Sequence, residues 1–373
     1  MVSTKSALGS PKLLDVLIVG GGLSGLFVGQ GLQRMQADWR LLEARPLLGG
    51  RLANDEVFNE IDLGGAWIWP HHQPHMKSLV KSLGVKTFAQ PDDHSSTRVD
   101  GGAVQFVNKL AEQLPTDLLQ MNSAVTSCTL ETNESGNNVV RVETANQETF
   151  LARKVVFAVP PKLLSKHVTF DPPLSHQKQA ALQASQTWMA AVTKVALVYP
   201  AKFWDARASN MGLGGGPAFQ VYDSSTTDNK VSALTFFAMV PSGSPALTDD
   251  AVLAKQVAKQ MSDTWTHLTR HYAKQAENFT SFHVHRWPAE SYISEDANPV
   301  RINPHPSTVR ALSTPEWDGA LQFAGSETDL SSPGVMEGAI GAAKRVLKAL
   351  EGFLSTNNNA QQCSSSSGDS AGR

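Results

Sequence analysis

The stretch DVLIVGGGLSGLFVGQGL, residues 15–32, places six glycines directly after a short apolar run. Residues 15–19 have the apolar character of a buried central strand, and the residues after the glycines have helical character up to about residue 35. A glycine inside a helix or strand costs roughly 0.5–1 kcal/mol relative to alanine, so this many glycines need a physical reason. The stretch therefore predicts a strand, a glycine-rich corner and a helix, in which the corner requires backbone without side chains.

The spacing of Gly20, Gly22 and Gly25 fits the pattern G-x-G-x-x-G between the predicted strand and the predicted helix. In that pattern the first glycine permits the tight turn, the second lets a pyrophosphate approach the backbone, and the third lets the helix pack closely on the sheet. The helix N-terminus adds unpaired N–H groups and a partial positive charge. Glu43 ends the next predicted strand, residues 38–44, where its carboxylate would accept the ribose hydroxyls. The alternative is a glycine-rich turn that binds no ligand. The strand, the helix and Glu43 at the expected spacing favour dinucleotide binding.

The composition of the whole chain limits the classes of partner. The 373 residues carry a net charge of −2, so they lack the basic surface typical of proteins that bind nucleic acid or anionic membranes. The two cysteines, Cys128 and Cys363, cannot build a disulfide framework. The first residues lack an apolar signal core, and no apolar run approaches about 18 residues. We expect a cytoplasmic protein of two domains, with no membrane span and no nucleic-acid partner.

The remaining segments predict an α/β architecture with two kinds of sheet. KVVFAVP, residues 154–160, has the character of another buried strand. Four segments after about residue 166 have the character of antiparallel strands: VTKVALVY (192–199), AFQVYD (218–223), SALTFFAMV (232–240) and FTSFHVHRW (279–287). We also predict a helix over residues 248–272 with Thr248 as its N-cap, a strand over 320–325 and a helix over 334–354.

Three further motifs identify the dinucleotide. EARPLLGGRL, residues 43–52, adds a second glycine pair and Arg51, whose guanidinium supplies several fixed donors to a diphosphate. IDLGGAWIWP (61–70) and LQFAGSETDLSSPGVMEGAIGAAKR (321–345) follow later in the chain. Together with the glycine corner, these motifs resemble the flavin-containing amine oxidase family, the monoamine oxidase-like group. The resemblance covers nearly the whole chain up to residue 354.

This resemblance implies a Rossmann-like FAD-binding domain of the glutathione-reductase type and a smaller α+β substrate domain built on the antiparallel sheet. We expect the FAD-binding domain to comprise residues 12–88, 99–165 and 298–354 and the substrate domain to comprise residues 166–297. A low-complexity tail, residues 355–373, is expected to be disordered. The chain resembles a shortened member of the family, because only a short segment replaces most of the helical substrate subdomain. The flavin face should therefore be open, unless a partner or a second subunit covers it.

The same resemblance implies FAD as the cofactor, bound non-covalently because the family's flavin-linking cysteine is absent. The positions that it implies for FAD binding are Gly20, Gly22, Leu23, Ser24, Gly25, Glu43, Ala44, Arg45, Gly50, Arg51, Gly65, Ala66, Trp67, Val125, Ser326, Glu327, Val335, Met336 and Ala339. A helix that begins near Gly334 would direct the positive end of its dipole at the flavin.

Two catalytic residues also follow from the resemblance. Lys194 matches the family lysine that holds a water against the flavin N5 atom, and Trp287 matches the tryptophan that packs beside the flavin. A solvated strand lysine and an ordinary core tryptophan are the alternatives. His71, His72 and His75 cluster in HHQPH, but no carboxylate or cysteine is spaced to complete a site, so we expect no metal.

The sequence departs from the family at the substrate side. The aromatic cage of monoamine oxidases is absent, since Val335 stands at one cage position and Ala297 at or near the other, with Tyr292 five residues before it. Three functions remain open. The first is an FAD-dependent oxidase that removes hydride from a C–N centre of a small or bulky amine and uses O2 as acceptor, giving H2O2. The second is a flavoenzyme of another class, such as a desaturase or an NAD(P)H oxidase, and the third is a non-catalytic flavin-bound scaffold.

Overall fold

Eight strands form one large sheet in the computed structural model, which describes residues 11–54, 60–91, 93–134, 136–206, 209, 211–228, 230–267, 269–297 and 299–366. The strands are β1 (Leu13–Val19), β2 (Trp39–Leu42), β6 (Leu119–Gln120), β7 (Val125–Thr132), β8 (Asn138–Thr144), β9 (Thr149–Phe157), β10 (Thr169–Asp171) and β16 (Leu321–Phe323). Their order is β10–β7–β8–β9–β1–β2–β6, and β16 also pairs with β9. β1 is parallel to its neighbours β2 and β9, as expected for a dinucleotide-binding unit.

Helices pack against this sheet. The helices of the described residues are α1 (Leu23–Arg34), α2 (Pro74–Leu83), α3 (Val104–Ala111), α4 (Pro161–His167), α5 (His176–Ala184), α6 (Asp250–Trp265), α7 (Arg270–Ala276), α8 (Arg310–Ser313) and α9 (Met336–Ser366). α1 begins directly after the glycine corner and shares one core cluster with β1, α2, α3 and α9, in which Leu26, Phe106 and Ile340 are fully buried. None of the helices in the described part of the chain is long and apolar enough to span a bilayer.

A second sheet is antiparallel and has the order β12–β13–β14–β11–β15. Its strands are β11 (Thr193–Tyr199), β12 (Met211–Gly212), β13 (Ala218–Asp223), β14 (Ser232–Ala238) and β15 (Ser281–Arg286). α6 and α7 pack on one face, while Ala196 and Val198 on the other face contact Ile61 and Leu63. Because side chains two positions apart on a strand share a face, Lys194 points to the same side as Ala196.

A small third sheet has the order β3–β5–β4. Its strands are β3 (Trp67–Ile68), β4 (Thr87–Gln90) and β5 (Asp93–Val99). In the antiparallel pairing of β3 with β5, Trp67 lies opposite Arg98. This sheet therefore brings the IDLGGAWIWP motif next to the strand that precedes α3.

Several predicted boundaries are wrong. Asp249, and not Thr248, caps α6, because a 3-10 turn over Pro245–Leu247 ends at Thr248 and leaves Asp249 to accept the Val252 N–H at 3.0 Å. The predicted helix over 248–272 is divided into α6 and α7, and Thr269 caps the second. α9 continues to Ser366 instead of ending at residue 354, since an established helix gains one hydrogen bond with each added residue. Residues 367–373 of the predicted disordered tail lie outside the described residues.

The segment that follows residue 166, where the substrate domain was predicted to begin, contacts the large sheet. β10 pairs with β7 of the large sheet, and Leu174 and Leu182 belong to the core cluster on that sheet. These contacts place α5 with the large sheet, because its apolar side chains are buried there. We propose that the substrate domain begins after α5, and the other domain boundaries stay predictions.

Replacing Gly25 by alanine should destabilise the protein, because a Cβ at this position would lie 1.9 Å from the carbonyl oxygen of Gly20. Overpacking of this kind costs about 1–3 kcal/mol of unfolding free energy. Gly352 in α9 is the matched control, since nothing lies within 4 Å of its Cβ position, and Gly352→Ala should stabilise by roughly 0.5–1 kcal/mol. Urea unfolding followed by circular dichroism measures both changes. Equal effects of the two substitutions would contradict the close packing at the corner.

Candidate active site

A cavity of about 450 Å³ lies between the carboxyl ends of β1 and β2 and the antiparallel sheet. Val19 and Leu42 line it from the large sheet, and Phe237 lines it from the antiparallel sheet. The predicted positions in its lining are Gly20, Gly22, Leu23, Ser24, Glu43, Ala44, Arg45, Gly50, Arg51, Gly65, Ala66, Trp67, Val125, Lys194, Trp287, Ser326, Val335, Met336 and Ala339. Gly25 and Glu327 lie outside the lining. The fold thus brings the predicted dinucleotide corner and both predicted catalytic residues to one cavity.

The three glycines of the corner have different surroundings. Gly20 has φ +108°, and a Cβ there would lie 2.6 Å from Val159, so this turn excludes other side chains. A Cβ on Gly25 would lie 1.9 Å from the Gly20 carbonyl oxygen. Gly25 therefore packs directly against the backbone of the corner, and it does not line the cavity. Gly22 faces the cavity, and the nearest atom to its Cβ position is the Gly50 Cα at 3.7 Å. A Cβ at Gly22 would therefore be in ordinary contact with the Gly49–Gly50 backbone without a clash, so the protein itself does not require glycine at this position.

Glu43 is held at the end of β2 by backbone donors. Its Oε2 accepts the Gly21 N–H at 2.7 Å, and its Oε1 accepts the Arg45 N–H at 2.9 Å. Each carboxylate oxygen can accept further hydrogen bonds, so the buried group remains able to bind hydroxyl donors in the cavity. Arg45 in turn donates to the Gly50 carbonyl at 2.8 Å, which links the two glycine motifs.

Arg51 lines the cavity and is oriented from behind by Glu327. The Arg51 Nη1 atom lies 2.5 Å from Glu327 Oε1, and Nη2 lies 3.1 Å from Oε2 and 2.9 Å from Ser326 Oγ. Glu327 is only 1% exposed and Arg51 is half-buried, so the carboxylate side of this two-point ion pair is shielded from water. Glu327, one of the positions implied for FAD binding, orients the arginine here, while Arg51 and Ser326 line the cavity.

Lys194 is buried in β11, with 4% of its surface exposed, and it lines the cavity. Its Nζ donates to the backbone carbonyls of Gly64 and Asp62, the second at 3.4 Å. The same atom lies 5.2 Å from the ring centre of Trp67 and 4.9 Å from that of Phe237, within the range of cation–π attraction. This environment excludes a solvated strand lysine and places a buried amino group beside the cavity.

Two charged side chains beside Lys194 were not predicted as site residues. Asp62 is 3% exposed and Arg98 is 2% exposed; together with Lys194 we call them the buried charge row. Burial raises the pKa of Asp62 to about 6, although Arg98 opposes this shift. Burial lowers the pKa of Lys194 to about 8, although Asp62 opposes it. The row therefore brings one buried carboxylate together with two buried basic side chains. The sequence signal was weak, since only the apolar neighbours of Asp62 in IDLGGAW indicate burial.

Aromatic rings form the cavity wall nearest Lys194. The ring centre of Trp67 lies 4.6 Å from that of Tyr222 and 6.0 Å from that of Phe237, which lies 6.0 Å from that of Phe219. All four rings line the cavity. Sequence reasoning missed Phe219, Tyr222 and Phe237, because a β-bulge in β13 shifts the register and strand alternation alone does not place these rings together.

The positions that correspond to the substrate cage of monoamine oxidases, and the tryptophan beside them, lie in different places. Trp287 lines the cavity, and its Nε1 donates to the Leu63 carbonyl at 2.9 Å. Val335 lines the cavity, whereas Ala297 lines a separate small pocket. Tyr292 lines the main cavity and is 38% exposed, so the cavity reaches the surface at this ring. The cage positions inferred from the resemblance thus carry no aromatic side chain, and other rings border the cavity.

The histidine segment contributes to the start of α2. The backbone N–H groups of His75 and Met76 donate to the Glu337 carboxylate at 2.9 and 2.8 Å, so Glu337 caps this helix from α9. The Nζ of Lys344 lies 3.1 Å from the His75 Nδ1 atom. Within the described ranges, no group of three His, Cys, Asp or Glu side chains is arranged to hold a metal ion.

The cavity fits the FAD that the resemblance implies. Gly22 is the N-cap of α1 and supplies no side-chain acceptor, so N–H groups of the first turn remain available to a pyrophosphate. Glu43 can accept from the ribose, and the fixed Arg51 supplies positive charge. Met336 and Ala339, in the first turn of α9, bring a second helix N-terminus to the same cavity. The donor and acceptor set therefore matches a dinucleotide along the length of the cavity.

Comparison with known proteins identifies the class. Residues 88–348 match the family described as flavin containing amine oxidoreductase. Residues 18–83 match the NAD(P)-binding Rossmann-like domain, in agreement with the β1–α1–β2 unit. The chain belongs to the flavin-containing amine oxidoreductase family.

Individual relatives match parts of the chain. Flavin-containing amine oxidase A of Equus caballus is 34% identical over 90 residues, which are 24% of this chain and 17% of that protein. Lysine-specific histone demethylase 2 of Homo sapiens is 26% identical over 296 residues, which are 76% of this chain and 33% of that protein. The chain thus spans a third or less of the length of these two relatives. Wild-type putrescine oxidase, in a structure with bound putrescine, superposes with a TM-score of 0.72 at 18% identity over 92% of this chain and 100% of that chain, which supports the fold.

Replacing Gly22 by valine should abolish FAD binding and leave the protein folded. The backbone at Gly22 has φ −80°, which valine adopts, and the added side chain would enter the cavity where the pyrophosphate is expected. We expect the affinity for FAD to fall more than about 100-fold, equal to about 2.8 kcal/mol. Titration of the apoprotein with FAD, followed by flavin fluorescence, measures the change, and circular dichroism controls for folding. Full FAD occupancy in a folded Gly22→Val protein would remove the pyrophosphate from this corner.

Proposed function

We propose that this protein is an FAD-dependent amine oxidase-like enzyme that oxidises a C–N bond of an amine and uses O2 as electron acceptor, with H2O2 as product. The observation that carries the proposal is the position of the buried Lys194 amino group, which lines the same cavity as the dinucleotide corner. Burial disfavours the charged form of a lysine, and Lys194, unlike the buried Lys178, has its amino group at the wall of this cavity.

The residues that would hold FAD are those of the corner and the loops around it. Gly22 and the start of α1 would bind the pyrophosphate, Glu43 the ribose, and Arg51 the diphosphate region. When bound, FAD supplies the hydride acceptor for the amine substrate and passes the electrons to O2. We propose that it is bound non-covalently, a proposal supported by the lining of the cavity, in which no described residue is a cysteine.

Lys194 would hold a water molecule in the cavity. An ammonium has three donors, and the Gly64 and Asp62 carbonyls accept two of them, which leaves one donor for a water. A cation in a cavity with apolar walls stabilises negative charge that develops nearby more strongly than it would in bulk water. Lys194 therefore serves both to position a water and to favour electron transfer to O2.

The substrate side of the cavity favours an amine with an apolar or aromatic body. Trp67, Phe219, Tyr222 and Phe237 offer ring surfaces that exclude water from the reacting bond and attract a substrate ammonium by cation–π contact. The exposed Tyr292 marks a route by which the remainder of a bulky substrate could extend to the surface. The similar putrescine oxidase binds an amine, putrescine, which supports this class of substrate.

A flavoenzyme of another class, such as a desaturase or an NAD(P)H oxidase, is the second candidate. The placement of Ala297 outside the main cavity and the aliphatic Val335 favour it, because the aromatic cage of monoamine oxidases is absent. The dinucleotide corner and Lys194 would serve either reaction. Amine oxidation remains the better supported function, because the family match covers most of the chain.

Replacing Lys194 by methionine should slow reoxidation of the bound cofactor by O2 about ten- to a thousand-fold, equal to roughly 1.4–4 kcal/mol of transition-state stabilisation. Methionine keeps an unbranched apolar stem and removes the charge, so the FAD content should change little. Stopped-flow absorbance at several O2 concentrations, after anaerobic reduction, measures the rate.

Lys178→Met is the matched control for this variant. Lys178 is also buried, its Nζ donates to the Leu312 and Thr314 carbonyls, and it lies over the Phe323 ring, but it is not part of the cavity lining. We expect its reoxidation rate to equal that of the unchanged protein. If the Lys194→Met protein is reoxidised at the same rate as the unchanged protein, Lys194 has no part in the reaction, and the non-catalytic flavin-bound scaffold is favoured.

A further inference from the structure

The carboxylate of Asp62 is buried and only partly hydrogen-bonded. Its Oδ1 accepts the Ala103 N–H at 2.7 Å, next to the start of α3. Its Oδ2 has no hydrogen-bond partner among the described residues and lies 3.9 Å from the Arg98 Nε. A buried carboxylate oxygen without a donor is costly, so this arrangement needs a reason other than the stability of the fold.

Arg98 is held mainly by backbone carbonyls. Its Nη1 donates to Asp223 at 3.4 Å and Ser225 at 3.1 Å, and its Nη2 donates to Ser224 at 3.3 Å and Glu60 at 3.4 Å. Since these carbonyls accept the guanidinium donors, Asp62 is not engaged in a two-point ion pair with Arg98. Its negative charge therefore acts on Arg98, 3.9 Å away, and also on the third member of the buried charge row.

Lys194 is that third member, and the chain brings it close to Asp62. Its Nζ lies 3.4 Å from the backbone carbonyl of Asp62 and also donates to the Gly64 carbonyl. Neutral carbonyl oxygens accept the ammonium donors, but they supply less compensation for the buried charge than an anion does. The ammonium therefore depends on a nearby negative charge to remain protonated in this apolar place.

We propose that Asp62 is a positioning residue for Lys194: its carboxylate, balanced by Arg98 on the other side, keeps the Lys194 amino group charged beside the cavity. The proposal rests on the proposed function in one respect: the proposed function says which bound group the Lys194 charge faces. Asp62 lies outside the cavity lining and acts through Lys194 without contact with a substrate or cofactor.

The neighbouring charges support this role for Asp62. Burial and Arg98 both lower the pKa of Lys194, and Asp62 is the influence that raises it. His285 lies opposite Lys194 in the pairing of β11 with β15, and its pKa is lowered, chiefly by burial, which favours the neutral imidazole and so adds no positive charge beside Lys194. The carboxylate of Asp223 on β13 is engaged by the Lys202 ammonium at 2.6 Å. Without the Asp62 charge, the remaining influences, burial and Arg98, both lower the pKa of Lys194.

The titration of Lys194 can be measured directly in the FAD-loaded protein without any turnover. Lysine labelled with 13C at Cε gives a shift that reports the charge of each amino group, and Lys194→Met assigns the signal by its loss. We expect the Lys194 signal to titrate near pH 8 in the unchanged protein. In Asp62→Asn the midpoint should fall by about one to three pH units, the size of shift that a nearby opposite charge causes.

Asp223→Asn is the matched control, because it also removes a buried carboxylate, one that is paired with Lys202. Its Lys194 midpoint should equal that of the unchanged protein. An unchanged midpoint in Asp62→Asn, or an equal decrease in both variants, would overturn the proposal. Asparagine keeps the oxygen that accepts the Ala103 N–H, and if Asp62→Asn fails to fold, Asp62→Ser provides another uncharged acceptor and must lower the midpoint in the same way.

A second variant tests the balance within the row. Arg98→Gln removes the charge that opposes protonation of Lys194, so the Lys194 midpoint should rise. A decrease would contradict the proposed arrangement. These titrations need no substrate. If the unchanged protein oxidises no amine but its Lys194 titration responds to Asp62→Asn as expected, the proposed function is overturned and the role of Asp62 is retained.

Discussion

The contact between Gly25 of α1 and the Gly20 carbonyl at the end of β1 determines where the cavity can lie. It seats the helix close to the sheet, so that the uncapped first turn of α1 opens toward the space beside Gly22. In a parallel sheet the carboxyl ends of neighbouring strands meet at one edge, which also brings Glu43 to this space. The antiparallel sheet closes the other side, and Lys194 of β11 points into the same cavity. Cofactor binding and the proposed chemistry therefore depend on one close backbone contact.

Buried charge is the second constraint on this site. The cavity wall near Lys194 consists of aromatic rings and backbone, so a charge there is screened less than a surface charge. The ammonium contacts two carbonyls and lies beside Asp62, while Arg51 on the dinucleotide side is fixed by the buried Glu327. Both cations are thus oriented by groups behind the wall. This arrangement leaves the cavity face of each cation for a ligand.

The local motifs could be predicted from the sequence, and the long-range pairs could not. Gly20, Gly22 and Glu43 follow from spacing along the chain, because a strand, a turn and a helix are local structures. Glu327 illustrates the limit: its motif was recognised, but its place behind Arg51 depends on two segments 276 residues apart. Asp62 and Arg98 carry no motif that indicates catalysis, and their relation to Lys194 arises only when the loop with Asp62, β5 and β11 come together. Similarly, Tyr222 reaches the cavity through a bulge that alternation does not reveal.

The central claim, that this cavity oxidises amines with FAD, is tested most directly by anaerobic mixing. The FAD-loaded protein would be combined with a panel of monoamines, diamines and bulky amines, and separately with NADH and NADPH, while the flavin absorbance is recorded. We predict that at least one amine bleaches the absorbance, and that admitting O2 restores it with formation of H2O2. Bleaching by NADH or NADPH with every amine inactive would contradict amine oxidation and assign the cavity to another class of flavoenzyme.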